Sequence, residues 1–289
     1  MEIVCAAQRK NRLGEGPLWV ASEGRLYWLD IESKLLEWLH PASGETGTWP
    51  LPCTVSAVAQ RAKGGLLLGS ERGFALFDPR TGEFTLMHNP EPERSWNRSN
   101  DGHADSMGRF WLGTMDNAQS RRSGAVYRLD PDWTCTRVLD GFGIPNTLVC
   151  TPDCSRIYIA DSSDRVLFAY DVEPKTGVLG DRRVIAQTVD TNATPDGSAL
   201  DAEGCLWNAQ WGGWRIVRYT PEGSIDRIII LPVEQPTSCA FGGETLSQLF
   251  ITTARTGLSQ EALARQPLAG SLLVCEPGVS GQPSALFTG

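Results

Sequence analysis

The chain has 289 residues, 41% of them hydrophobic and 21% charged, which is enough apolar content for a large core and too much for a disordered chain. A net charge of -8 without any Lys/Arg run removes the electrostatic footprint of a nucleic-acid binder. The start, MEIVCAAQRKNR, lacks a signal-like pattern, and no apolar run is long enough to span a bilayer, so a cytoplasmic protein with no membrane partner is expected.

Taken in order, the chain opens on a strand-like run, EIVCAA at residues 2 to 7, and then repeats itself. Six apolar segments end in a small or polar residue: LYWLD at Leu26, LLLGS at Leu66, FWLGT at Phe110, IYIAD at Ile157, LWNAQ at Leu206 and LFITT at Leu249. Their starts lie 40, 44, 47, 49 and 43 residues apart. Each is preceded by one strand-like run, such as GPLWV or NTLVC. Each is followed by a second that stops at a Pro, such as FALFDP, and by a weaker fourth, such as DRIII or, in the last unit, SALF. This period with four strands per unit is the signature of propeller blades. The reading is therefore an all-β, six-bladed β-propeller with four antiparallel strands per blade, a single domain over residues 1–289. The N-terminal run is expected to pair onto the last blade and so close the ring. Only LSQEALARQ, at 258 to 266, looks helical.

An antiparallel meander puts the start of each inner strand on the same rim as the loops that follow the second strands. Counting back from the second strand, Glu15 and Asn146 lie 11 residues before Leu26 and Ile157, and Asn100 and Asp196 lie 10 before Phe110 and Leu206. In the other two blades the matching positions fall near Val55 and Ser238. Two carboxylates and two amides in register form an oxygen-rich set suited to a divalent cation. The eight cysteines have no CxxC pair and read as free thiols; with His40, His88 and His103 dispersed, oxygen is the expected metal donor. On the same rim, Trp211-Gly-Gly-Trp214 reads either as a sugar platform or as a packed hairpin tip, and the insertion from Arg255 to Gly270 as a candidate lid. His103 reads as a core histidine, and Asp30 and Asp161 as ties between loops.

Four separated motifs carry a family resemblance over essentially the whole chain: LGEGPLWVASEGRLYWLDI, RSNDGHADSMGRFWLGTM, IPNTLVCTPDCSRIYIADS, and PDGSALDAEGCLWNAQWGGWRIVRY followed by PTSCAFGG. They resemble the regucalcin and gluconolactonase family of six-bladed sugar lactonases, and the wording of the last motifs is most similar to bacterial aldonolactonases such as a xylonolactonase. The resemblance implies that Glu15, Asn146 and Asp196 hold one divalent metal (Ca, Mg, Mn, Zn or Fe(II)), that Arg98 and Asn100 bind substrate, and that Asp196 is the catalytic base. Asp101, beside Asn100, and Asn117 complete the candidate substrate-binding set. Near the place where many relatives carry an acidic residue just after GTM this chain reads Asp116-Asn117-Ala118, and Thr147 stands where many have Gly after PN; both positions bear on sugar selectivity.

The expected reaction is metal-dependent hydrolysis of an aldonolactone, such as xylonolactone or gluconolactone, to the aldonic acid. In it, the metal polarises the lactone carbonyl, and Asp196 either takes the proton from water or orients a water acidified by the metal. The alternatives are a non-catalytic calcium-binding or interaction propeller and, on the same architecture, a phosphotriesterase or aryl esterase.

Overall fold

A computed structural model describes residues 1–188 and 191–289. β1 (Val4–Ala7) comes first. Blade 1 is β2 (Gly14–Val20), β3 (Arg25–Asp30), β4 (Leu35–His40) and β5 (Glu45–Pro50), and blade 2 is β6 (Val55–Gln60), β7 (Leu66–Ser70), β8 (Gly73–Asp78) and β9 (Glu83–His88). Blade 3 is β10 (Asn97–Ala104), β11 (Phe110–Asp116), β12 (Gly124–Leu129) and β13 (Cys135–Phe142), and blade 4 is β14 (Pro145–Cys150), β15 (Arg156–Asp161), β16 (Val166–Val172) and β17 (Leu179–Gln187). Blade 5 is β18 (Thr194–Leu200), β19 (Leu206–Trp211), β20 (Arg215–Tyr219) and β21 (Ile225–Ile230). Blade 6 is β22 (Pro236–Gly242), β23 (Gln248–Thr253) and β24 (Leu272–Cys275), with the short helix α1 (Gln260–Arg265) before its last strand.

The architecture is a six-bladed β-propeller of four-stranded antiparallel sheets. In blade 6 the order is β22-β23-β24-β1, so the N-terminal run supplies the outer strand, with Val4 opposite Val274 and Cys5 opposite Leu273. The expected fourth run of that unit, SALF, forms no strand. Phe287 instead bridges Arg61, accepts from Ala62 N (2.8 Å) and sets its ring edge-on to Trp133 at 5.3 Å. Burial of that ring outcompetes ladder pairing for a run entered through Pro283. The helix is one turn and a half, capped by the Ser259 hydroxyl, which accepts from Ala262 N.

The chain forms two compact units. One contains Met1–Pro50 and Thr188–Pro283, with blades 1, 5 and 6; the other contains Leu51–Gln187 and Ser284–Gly289, with blades 2, 3 and 4. In the first unit Trp19 stacks on Phe250 at 6.3 Å and Trp207 meets Phe241 edge-on at 6.2 Å; in the second Phe74 meets Phe110 edge-on at 6.3 Å. Trp28, Trp111 and Trp207 are fully buried, and each such indole removes about 150–250 Å² from water, roughly 4–6 kcal/mol. Outer strands such as β9 and β21 are mostly exposed, which is why their apolar pattern is weak in sequence.

Two of the turns from first to second strand share a buried aspartate. Asp105 accepts from the backbone N–H of Met107 and Arg109, from Arg109 Nε (2.6 Å) and from Trp111 Nε1 (2.8 Å). Asp201 repeats this with the N–H of Glu203 and Cys205, Trp207 Nε1 (2.8 Å) and Arg218 Nε (2.8 Å). The spacing D-x-x-G-x-x-W is common to both.

Asp201→Ala should leave the Trp207 N–H and the backbone N–H groups of Glu203 and Cys205 without their acceptor, while Arg218 keeps Glu203 and Asp226, and cost about 1–3 kcal/mol, read as a fall in the urea midpoint. Deleting residues 2–7 should lower the thermal midpoint by several degrees, because it unpairs β24 and leaves an open edge; an unchanged melt would show that β1 contributes nothing to blade 6.

Candidate active site

Every inner strand is interrupted at the same place. Between Glu15 and Leu18, Ser99 and Gly102, Asn146 and Val149, and Pro195 and Ser198, the inner strand carries one residue more than its partner, a β-bulge; the shorter irregularities at Ser56 and Thr237 are the counterparts in blades 2 and 6. Glu15 and Asn146 are the last paired residues before their bulges, whereas Asn100 and Asp196 lie within theirs. A bulge re-aims the side chains beside it and frees them from strict alternation.

In the second unit the bulges gather four of the expected residues into one network. Asn100 Nδ2 donates to Asn146 Oδ1 (2.9 Å) and to the Pro145 carbonyl (3.0 Å), while Asn146 Nδ2 donates to Ser162 Oγ (2.8 Å). Arg98 donates through Nη1 to Asn100 Oδ1 (3.0 Å) and to the Ser99 carbonyl (2.7 Å), and through Nε to Asn117 Oδ1 (3.1 Å). Arg98, Asn100, Asn117 and Asn146 are thus fixed relative to one another, and the network itself assigns the orientation of the amides.

In the first unit Glu15 is 9% exposed and accepts from Gly16 N at 2.9 Å, while Asp196 is 8% exposed. The backbone at Asp196 is held by Asn208, whose Nδ2 donates to the Asp196 carbonyl and to Ser198 Oγ, both at 2.9 Å. Carboxylates kept this far from water, with amide oxygens as the other donors of the expected set, have the chemistry that a hard divalent cation requires. Sequence reasoning passed over Ser162 and Asn208. The signal for Asn208 was present: it occupies the third position of LWNAQ, where the other repeats carry Trp28, Leu68, Leu112, Ile159 and Ile251.

Asp101, expected to bind substrate, is placed differently. It is 4% exposed and accepts from Gly102 N (2.7 Å) and from the Thr147 backbone N–H, with His103 Nε2 at 3.8 Å. Burial pushes its carboxyl above the usual range against the pull of His103 and those N–H groups. Thr147 has φ 76° and Leu148 φ 47°, so the bulge after Asn146 is built from residues that disfavour this backbone. Asp101 thereby ties the bulge of β10 to that of β14. His103 is partly exposed, with 31% of its side chain accessible, and is not a core histidine.

Asp30 and Asp161 tie loops, as expected: Asp30 accepts from the N–H of Arg12 and Leu13, and Asp161 from those of Gly143 and Ile144. Trp214 sits at a tight hairpin tip with φ 57°. The insertion from Arg255 to Gly270 is pinned at both ends, Arg255 N to the Arg12 carbonyl and Asn11 N to the Gly270 carbonyl, both 3.0 Å, and by the buried Gln266, which accepts from Glu234 N. All eight cysteines are free. Asp201, Glu203 and Cys205 come within metal-ligand reach of one another, but Arg218 already pairs with both carboxylates, so that cluster is an ion-pair network at a turn.

The SMP-30/Gluconolactonase/LRE-like region matches residues 13–255 of this chain. The chain belongs to that family. It is 39% identical to the L-arabinolactonase of Azospirillum brasilense over 98% of this chain and 94% of that protein. It is 34% identical to the 6-deoxy-6-sulfogluconolactonase of Pseudomonas putida, over 99% and 98% respectively. The crystal structure of a calcium-binding protein, regucalcin, from Agrobacterium tumefaciens superposes with a TM-score of 0.92 at 31% identity, covering 98% of this chain and 97% of that one. No helix among the described residues is long and apolar enough to cross a membrane.

Beside the network of this family member lies a second one, buried at Glu91 and Asn97 and reaching the surface at Trp96. Glu91 accepts from Asn97 Nδ2 (3.1 Å) and Tyr127 OH (2.9 Å), Asn97 Oδ1 accepts from Ser123 Oγ (2.7 Å), and Ser123 Oγ accepts from Trp96 Nε1 (3.1 Å). Burial raises the Glu91 carboxyl above its ordinary value despite donation from Thr114, Asn97 and Tyr127 and the charge of Arg94. A raised carboxyl means that the folded state holds the proton more tightly than the unfolded one. Its stabilising contribution is therefore full at acid pH and lost as pH rises through the folded value. Glu91→Gln, which cannot ionise, should gain stability relative to the parent as pH increases from 4 to 7, measured as the difference in thermal midpoints; a pH-independent difference would contradict the assignment.

Proposed function

We propose that the chain hydrolyses the lactone of an aldonic acid, a pentono- or hexonolactone, with one divalent cation held by Glu15, Asn146 and Asp196. The observation that carries this reading is the hydrogen-bonded set Arg98, Asn100, Asn117 and Asn146, an array of fixed donors and acceptors suited to ring hydroxyls rather than to an apolar ester. Relatives named for arabinolactone and for a sulfogluconolactone support both a pentono- and a hexonolactone, and xylonolactone and gluconolactone are the substrates to try first.

When bound, the cation supplies Lewis-acid polarisation of the lactone carbonyl. Asp196 stands as the group that accepts a proton from, or orients, the attacking water. Arg98 and Asn100 fix the ring so that its carbonyl carbon faces that water, and Asn117 holds the Arg98 fork in place. Burial of Asn146 between Asn100 and Ser162 keeps its amide oxygen in one orientation. A purely calcium-binding role is the second reading, favoured by the similarity to a calcium-binding protein, regucalcin.

The purified protein should release acid from xylono-, glucono- or galactonolactone above the uncatalysed rate, lose that activity on chelation and regain it with a divalent ion. Glu15→Gln, Asn146→Ala and Asp196→Asn should each weaken metal binding and reduce turnover by about 100-fold or more, whereas Arg98→Ala should raise KM with metal affinity intact. Preference for an aryl ester would favour an esterase. Metal binding without acceleration of any lactone would leave the calcium-binding reading.

A further inference from the structure

In the second unit, a pocket of about 450 Å³ opens beside Arg98. Arg72 enters it from the turn between β7 and β8, Trp96 from the chain leading into β10, and Asn117 and Arg121 from the loop after β11. Three guanidiniums line this one pocket in a chain whose net charge is -8. They are not equally committed. Arg98 is engaged by Asn117 and Asn100. The Arg72 side chain is exposed and makes no hydrogen bond or ion pair among the described residues; only its backbone N–H is used, donating to Ser70 Oγ. Arg121 lies with its Cζ 5.1 Å over the Trp96 ring, and 57% of its side chain is exposed.

The pocket also has two carboxylates, Glu71 and Asp116. Glu71 is exposed to water. Asp116 is 1% exposed and spends its oxygens on its own loop, accepting from the backbone N–H of Ala118, Ser120 and Arg121 and from the Ser120 hydroxyl. Its distance to Arg121 Nη1 is 3.8 Å, too long for a hydrogen bond. Asp116 therefore shapes the loop that presents Arg121 and stays within ion-pair reach of that guanidinium without a hydrogen bond to it, while 57% of the Arg121 side chain remains exposed. Trp96, whose Nε1 donates to Ser123 Oγ, gives an aromatic wall on which a carbon chain can lie.

We propose that this pocket receives an oxyanionic substituent, a carboxylate, phosphate or sulfonate carried by the lactone away from its ring carbonyl, with Arg72 and Arg121 as the ligands. The guanidinium fork matches such groups in a bidentate manner. Arg98 belongs both to the ring-binding network and to the pocket lining, so a substrate held by it has its far end beside the other two arginines. The proposal rests on the lactonase reading and specifies its substrate class: lactones that carry one anionic group away from the ring carbonyl, the products of oxidising an anionic sugar at its anomeric carbon.

The test compares gluconolactone with 6-phosphogluconolactone. The ratio of kcat/KM values, phosphorylated over neutral, should be about tenfold at low salt, shrink with ionic strength, and fall toward one in Arg72→Gln/Arg121→Gln. Arg72→Lys/Arg121→Lys should keep much of the preference, as it keeps the charge. A ratio near one in the parent protein, or a ratio unaltered by the double Gln change, would overturn the proposal. Calorimetric binding of 6-phosphogluconate against gluconate needs no turnover and separates the two readings. Tighter binding of the phosphorylated acid that depends on Arg72 and Arg121, in a protein that opens no lactone, would retain the anion site and remove the lactonase. Hydrolysis of neutral lactones with neither preference nor tighter binding would do the reverse.

Discussion

One constraint governs where chemistry is possible in this molecule: the bulge in each inner strand. A regular strand alternates its side chains between two faces, and in a propeller both faces of an inner strand are packed against other sheets, so a strictly regular inner strand has nowhere to present a polar group. The extra residue breaks the alternation where Glu15, Asn100, Asn146 and Asp196 sit. The cost is visible in the backbone. Gly16 takes the positive φ of 56° without strain, but Thr147 and Leu148 do so at a penalty of about 1–3 kcal/mol each. Asp101, bonded to the Thr147 N–H from the neighbouring blade, is part of what offsets that penalty.

The aspartates separate into two kinds by surroundings rather than by residue type. Asp105 and Asp201 each collect two backbone N–H groups, an indole N–H and a guanidinium, and nothing about them is left to bind a ligand. They stand at turns between first and second strands, at the opposite ends of those strands from the bulges. Asp196 sits in a bulge and spends its carbonyl, through Asn208, on keeping its own backbone in place. In blades 3 and 5 the two roles are separated in space: the aspartate after the inner strand ties a turn, and the bulge near that strand's start presents side chains.

Much of this was legible in the sequence, for definite reasons. The blade period survives because the second strand of every blade is buried and must be apolar, and the register of Glu15, Asn100, Asn146 and Asp196 survives because all four bulges add the same single residue. The parts that were not legible are those decided by direction rather than position. Asn100 and Asp101 are neighbours with similar chemistry, yet one joins the Arg98 network and the other turns to buried N–H groups, and no spacing rule distinguishes them. SALF has the composition of a strand, but a single aromatic, Phe287, had a better place to go.

The outer strand of blade 6 has a consequence for how the chain is made. Among the described strands β1 comes earliest in the chain and its partner β24 latest, so Val4 must meet Val274 across the whole intervening sequence. Joining ends that far apart costs about 5 kcal/mol of chain entropy if nothing between them is ordered, and far less once the blades between have formed. The N-terminal strand therefore waits, unpaired and carrying Ile3, Val4 and Cys5, for the duration of translation. A ribosome that stalls before residue 272 releases a chain with two unmatched β-edges, the strand that came first and the sheet that never received it, and such a product is a ready partner for another copy of itself.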